Sequence, residues 1–170
     1  RLKIMGIGLL VAAHWVTFFG AIQMTNASIT ISILASAAFF TSLIEPLLLK
    51  QKFQLRDTLL GATVIIGFVF IFGFTASDMN TGILVAILSA LLAATFGVMN
   101  KGMVARHDLY AITLLEFVAG VAILSLLAPL WGLYESGDMF AGLRPAAGDW
   151  GWLIFLAIGC TTLAFTLTMI

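Results

Sequence analysis

The chain has 170 residues, no formal net charge, 62% hydrophobic residues and only 9% charged ones. A soluble domain carries about 25% charged residues, and a small one leaves much of its surface in water, so a mean hydropathy of +1.14 calls for a bilayer as solvent. Zero net charge argues against a nucleic-acid partner, which needs a basic field, and the single cysteine, Cys160, excludes an internal disulfide framework or a cysteine zinc cage.

Six apolar stretches follow in order: Ile4–Gln23, Ala27–Leu49, Asp57–Phe74, Gly82–Asn100, Leu109–Trp131 and Trp150–Ile170. Each is close to the roughly 20 residues that cross a hydrocarbon core as a helix. Continuous apolarity argues against the alternation of barrel strands, and helices satisfy their backbone groups within one segment. The expected fold is an all-α membrane protein, a polytopic bundle with six spans. The first two spans form a hairpin across the short polar turn Met24-Thr25-Asn26, and Lys50-Gln51-Lys52 closes it. Arg1 in place of Met, and Ile170 inside an apolar run, read as the ends of a piece of a longer polytopic chain.

Lys and Arg set the orientation. Arg1 and Lys3 precede the first span, Lys50, Lys52 and Arg56 lie between the second and third, and Lys101 and Arg106 between the fourth and fifth. The turns Met24–Asn26 and Thr75–Thr81 hold neither residue type, and only Arg144, in the loop Gly132–Asp149, falls on the other side. Residue 1 is therefore expected on the cytoplasmic side of the cytoplasmic (inner) membrane. Trp131, Trp150 and Trp152 fall at external span ends and read as interfacial belt residues.

Small residues recur at helical spacing, as Ser28, Ser32 and Ser36 and as Ala86, Ala90 and Ala94. Such faces pack helices closely; a hydroxyl-lined path along Ser28–Ser36 is the alternative. No catalytic, cofactor or metal motif is present, so neither enzyme activity nor a cofactor is expected. His107 sits between Arg106 and Asp108 and reads as a solvated loop residue.

Three ionisable residues fall inside spans: His14 near the middle of the first, Glu45 toward the cytoplasmic end of the second, and Glu116 in the fifth. Ionisable groups at such depth are costly in contact with lipid and mark polar paths or paired sites. For Glu45 the competing reading is a side chain that reaches interfacial water or membrane-edge Lys and Arg. Trp15, Phe18 and Phe19 adjoin His14 and read either as an aromatic platform in a cavity or as helix packing. Pro46 removes a backbone donor within the second span.

The run Phe39-Phe40-Thr41-Ser42-Leu43-Ile44-Glu45-Pro46-Leu47-Leu48-Leu49-Lys50, followed by Leu60-Gly61 and Gly67, resembles the EamA-like branch of the drug/metabolite transporter (DMT) superfamily. His14-Trp15 with Phe18-Phe19, and Cys160-Thr161-Thr162-Leu163-Ala164-Phe165, are similar to that branch's third and eighth helices. The resemblance implies helices three to eight of ten. Residues 1–76 would be the last three helices of the first five-helix inverted repeat, and residues 77–170 the first three of the second. An internal echo, Val11–Phe19 laid on Thr161–Met169, fits that arrangement.

The resemblance further implies a multi-pass secondary transporter that moves a small metabolite by alternating access. Efflux of an amino acid or related compound is the expected direction and cargo, with protons as the candidate coupling ion. Substrate-path candidates are His14, Trp15, Phe18, Thr41, Glu45 and Glu116. The competing function is a channel or a structural subunit of a membrane complex. The orientation is open to test: in intact cells Lys52→Cys and Lys101→Cys should be shielded from an impermeant thiol reagent, whereas Ser136→Cys should label. Labelling at Lys52→Cys and Lys101→Cys in sealed cells would reverse the topology.

Overall fold

The computed structural model describes residues 2–73, 77–136, 145–164 and 167. Among them every element is helical: α1 (Leu2–Met24), α2 (Ala27–Leu34), α3 (Ala37–Leu49), α4 (Leu55–Gly73), a 3-10 turn at Ser77–Met79, α5 (Asn80–Val104), α6 (Leu109–Ser136) and α7 (Asp149–Phe155), which continues as π-helix over Leu156–Leu163. The described residues of the six apolar stretches form helix, apart from the break in the second. Leu2–Met24, Ala27–Leu49 taken through its break, Asn80–Val104 and Leu109–Leu130 are long and apolar enough to cross a membrane. Arg1, Phe74, Asp138, Arg144, Phe165 and Ile170, and the part of the internal echo that falls on 165–166 and 168–169, lie outside the described residues.

The elements start where local chemistry supplies the missing hydrogen bonds. Asn26, with extended backbone, caps α2 by accepting from the Ile29 N–H at 2.9 Å, and Asp108 accepts from the Ala111 N–H at 3.0 Å at the start of α6. Both are the short polar side chains that a helix N-terminus favours. α3 ends at Lys50, whose left-handed backbone (φ 54°, ψ 37°) closes the helix without a glycine.

One difference from expectation lies inside the second span. The stretch Ala27–Leu49 is broken at Ala35–Ser36, where the Ser36 N–H bonds to Ile33 O at 2.9 Å in a tightened turn. The Ser36 hydroxyl donates to the same carbonyl at 2.7 Å. A serine that bonds back to its own helix competes with the regular ladder. Pro46 lies within α3, away from this break.

The chain divides into two compact units. In Leu9–Gly102, α1 and α5 run antiparallel. Gly82, at the start of α5, lies so close to Met24 and Thr25 that a Cβ there would approach the Met24 Cβ to 2.6 Å. One turn further on, Ala21 joins Ile33, Ile83 and Ala86 in a buried apolar cluster. Ala86, Ala90 and Ala94 are all buried, so this small-residue stripe is a packing face, as close helix approach requires. Ser28 and Ser32 are exposed instead, and the Ser32 hydroxyl returns to Ser28 O at 2.8 Å.

α2 buries Thr30 and Ile33, whereas α3 buries no residue. α3 packs along α4, and at Gly61 the two come close enough that a Cβ would lie 2.7 Å from Phe39 Cα.

The second unit comprises Arg1–Gly8 and Met103–Ile170. The first turns of α1 supply Ile4 and Ile7, both buried, and α6 presents Ile112, Glu116 and Ala119, also buried, at helical spacing. α7 buries nothing, and Trp150, Trp152 and Phe155 are exposed, as lipid-facing or interfacial aromatics are.

The Gly61 contact yields a stability test. Gly61→Val places branched carbons against the Phe39 backbone, which has no side-chain freedom to yield. The expected cost is about 1–3 kcal/mol, read as a lower melting temperature in detergent. A variant as stable as the parent would mean that α3 and α4 are not in this contact.

Candidate functional site

His14 stands near the middle of α1, and the antiparallel packing sets it opposite Ser89 of α5. Its Nδ1 lies 2.9 Å from the Ser89 main-chain oxygen and 3.0 Å from the Ser89 hydroxyl, which is also 3.3 Å from the His14 main-chain oxygen. The imidazole is 9% exposed and Ser89 is fully buried. Phe18, one turn along α1, and Phe96 of α5 flank the ring at centroid distances of 5.9 and 5.5 Å. Phe19 meets Phe18 edge-on at 5.4 Å. A polar pair thus sits in an aromatic surround at mid-span, where hydrocarbon offers no hydrogen bond.

The structure therefore brings His14 and Phe18 together and adds Ser89 and Phe96 to them. The added pair left little trace in the sequence. Ser89 is the hydroxyl inside the Ala86–Ala90–Ala94 stripe, a position where a packing face otherwise holds alanine. Phe96 is one of 14 phenylalanines, and nothing distinguishes it before the helices are placed. Trp15 is half-buried on α1.

A second polar group forms at the other end of the same unit. Thr41 and Glu45 lie one turn apart on α3, both half-buried. Glu45 pairs with Lys101 of α5, the carboxylate side chain 21% exposed and the ammonium side chain 59% exposed. Leu49, a further turn along α3, approaches Gly102, where a Cβ would lie 2.9 Å from its Cδ2. A shallow pocket of about 50 Å³ lies beside Glu45, lined by Ser42, Pro46, Gln51, Lys52, Gln54 and Asp57. Pro46 has no N–H for the Ser42 carbonyl four residues back, so an acceptor is added to this polar rim. His14 bonds within the span through neutral partners, and Glu45 bonds at its margin through charge.

Glu116 belongs to the unit of Arg1–Gly8 and Met103–Ile170. It is fully buried on α6. Gly8 lets α1 approach α6 closely there: a Cβ at Gly8 would lie 2.9 Å from Glu116 Cα and 3.0 Å from Ala119 Cβ. No group of three or more His, Cys, Asp or Glu suited to a metal occurs among the described residues.

Long apolar helices, small-residue packing faces and polar side chains held at depth define a multi-pass helical membrane protein. Residues 80–170, just over half of the chain, match the EamA-like transporter family. The chain belongs to that family, and is a membrane transporter of the drug/metabolite type. No curated protein and no solved structure matches it.

The exposure of the Glu45–Lys101 pair fixes what it contributes. A double-mutant cycle with Glu45→Gln and Lys101→Met, read by thermal unfolding, should give a coupling of about 0.2–1 kcal/mol, the range of solvent-exposed pairs. A coupling of ~3 kcal/mol or more would place the pair out of water.

Proposed function

We propose that this chain supplies helices three to eight of a secondary transporter that moves a small metabolite, an amino acid or related compound, out of the cell. It does so by alternating access across the cytoplasmic membrane. Residues 1–76 form the last three helices of one inverted repeat and residues 77–170 the first three of the next. His14, Trp15 and Phe18 line the substrate path at mid-depth, with Thr41 and Glu45 toward the cytoplasmic mouth and Glu116 on a supporting helix. Protons are the coupling ion. Residue 1 faces the cytoplasm.

The observation that carries this reading is the polar pair His14–Ser89 at mid-span in a member of a transporter family. A polar contact between two packed helices has a modest value for assembly, about 0.6 kcal/mol on average and under 2 at most, whereas an imidazole in that position is a group through which cargo or a proton can pass. The same geometry sets the expected result for His14→Ala. Loss of the contact to Ser89 should lower stability by about 1 kcal/mol. Efflux of labelled amino acids from cells, divided by the amount of folded protein, should fall by about tenfold or more, the equivalent of one lost hydrogen bond to the cargo. Efflux that declines only in step with folded protein would leave His14 as a helix-packing residue and remove it from the path.

A further inference from the structure

We propose that Ser89 is a positioning residue that holds His14 with its proton on Nδ1, so that Nε2 accepts a hydrogen bond from an N–H or O–H group of the transported molecule. The role toward cargo rests on the transport reading above, and the tautomer rests on geometry alone.

Nδ1 of His14 is 2.9 Å from the Ser89 main-chain oxygen. A carbonyl oxygen has lone pairs and no proton, so this contact is a hydrogen bond only when Nδ1 carries the hydrogen. The carbonyl has two lone pairs, so it serves the ring in addition to its helix. The Ser89 hydroxyl, 3.0 Å from the same nitrogen, then has no lone pair there to donate to. It directs its own hydrogen to the His14 main-chain oxygen at 3.3 Å and takes a share of the Nδ1–H. One N–H, one O–H and two carbonyls close a cycle in which each donor has an acceptor. A ring protonated on Nε2 would instead set two lone pairs against each other at 2.9 Å in a site with little water.

A neutral imidazole with its proton on Nδ1 has an acceptor at Nε2. Among the described residues, every hydrogen bond of the His14 ring passes through Nδ1. Phe18 and Phe96, which flank the ring, have neither donors nor acceptors. Nε2 is thus the polar atom left for a visitor, and what it recognises is a hydrogen-bond donor. A bound main-chain carbonyl fixing the free nitrogen of the same ring is the device by which histidines are oriented toward metals elsewhere; here the orienting group is a residue on a neighbouring span.

Two readouts test this. The full-length protein, labelled with nitrogen-15 histidine, is placed in lipid nanodiscs at neutral pH, and the signals that vanish in a His14→Gln variant are assigned to His14. The expected spectrum has a protonated Nδ1 and an unprotonated Nε2. A ring protonated on Nε2, or on both nitrogens, overturns the assignment. The second readout compares two amides in proteoliposomes loaded with a mixture of radiolabelled amino acids. His14→Asn keeps a donor where Nδ1 stood and lacks the outer acceptor. His14→Gln carries a carbonyl out to the position of Nε2. Efflux per folded molecule should fall about tenfold in His14→Asn and recover most of that loss in His14→Gln. Full activity in His14→Asn overturns the acceptor role whatever the tautomer. Wild-type protein that moves none of the mixture defeats the transport reading, and with it the role toward cargo, while the nitrogen spectrum still decides the tautomer.

Discussion

A hydrocarbon solvent gives no hydrogen bonds to a peptide, and the arrangement of this chain follows from that lack. The backbone answers it with helices, which are the elements formed among the described residues. The hydroxyl side chains answer it locally: Thr17, Ser32, Thr63, Thr95 and Thr113 each donate to a main-chain oxygen three or four residues back. Each of these bonds gives the hydroxyl hydrogen an acceptor within its own helix. His14 has no such route, since an imidazole does not fold back onto its own turn in this way. Its partner is on α5, and so it acts as a tie between two helices.

That tie depends on how close the two helices come. The stripe of Ala86, Ala90 and Ala94 gives α5 a face without bulk, and Gly82 removes the last side chain at the tight end beside Met24 and Thr25. Only then do a side chain of α1 and a main-chain oxygen of α5 lie 2.9 Å apart. Packing and polarity are thus one feature: small residues create the short separation, and the short separation turns a costly imidazole into a satisfied one.

The fold class was legible because its signal is coarse. Apolar runs of about 20 residues separated by charged turns allow few other solutions. Helix ends were legible to a few residues where Asn26 and Asp108 act as caps, and less so where α5 and α6 run past their apolar stretches into polar sequence, to Val104 and Ser136. The break at Ala35–Ser36 was not legible. Ser28, Ser32 and Ser36 stand at equal spacing in that span, with Ser42 beyond them, and only the burial of Ile33 and Ser36 singles out the break at Ser36. For the site, His14 and Glu45 announced themselves by being ionisable in an apolar run. Their partners did not: Ser89 and Lys101 are 75 and 56 residues away in sequence, and pairwise geometry at that range is set by tertiary packing.

The break between α2 and α3 divides the second span into halves with different mechanical standing. α2 is pinned through Thr30 and Ile33, so displacing it would disturb the core around Ala21 and Ile83. α3 has nothing buried; it packs along α4, and at its far end Glu45 pairs with Lys101 and Leu49 approaches Gly102. With 13 residues, α3 is a stiff rod of about 20 Å pivoted at the membrane's interior. Small changes of dihedral angle at Ala35 and Ser36 are therefore magnified at Glu45 and Lys50, and the work of bending falls on a turn that has already given up its regular ladder.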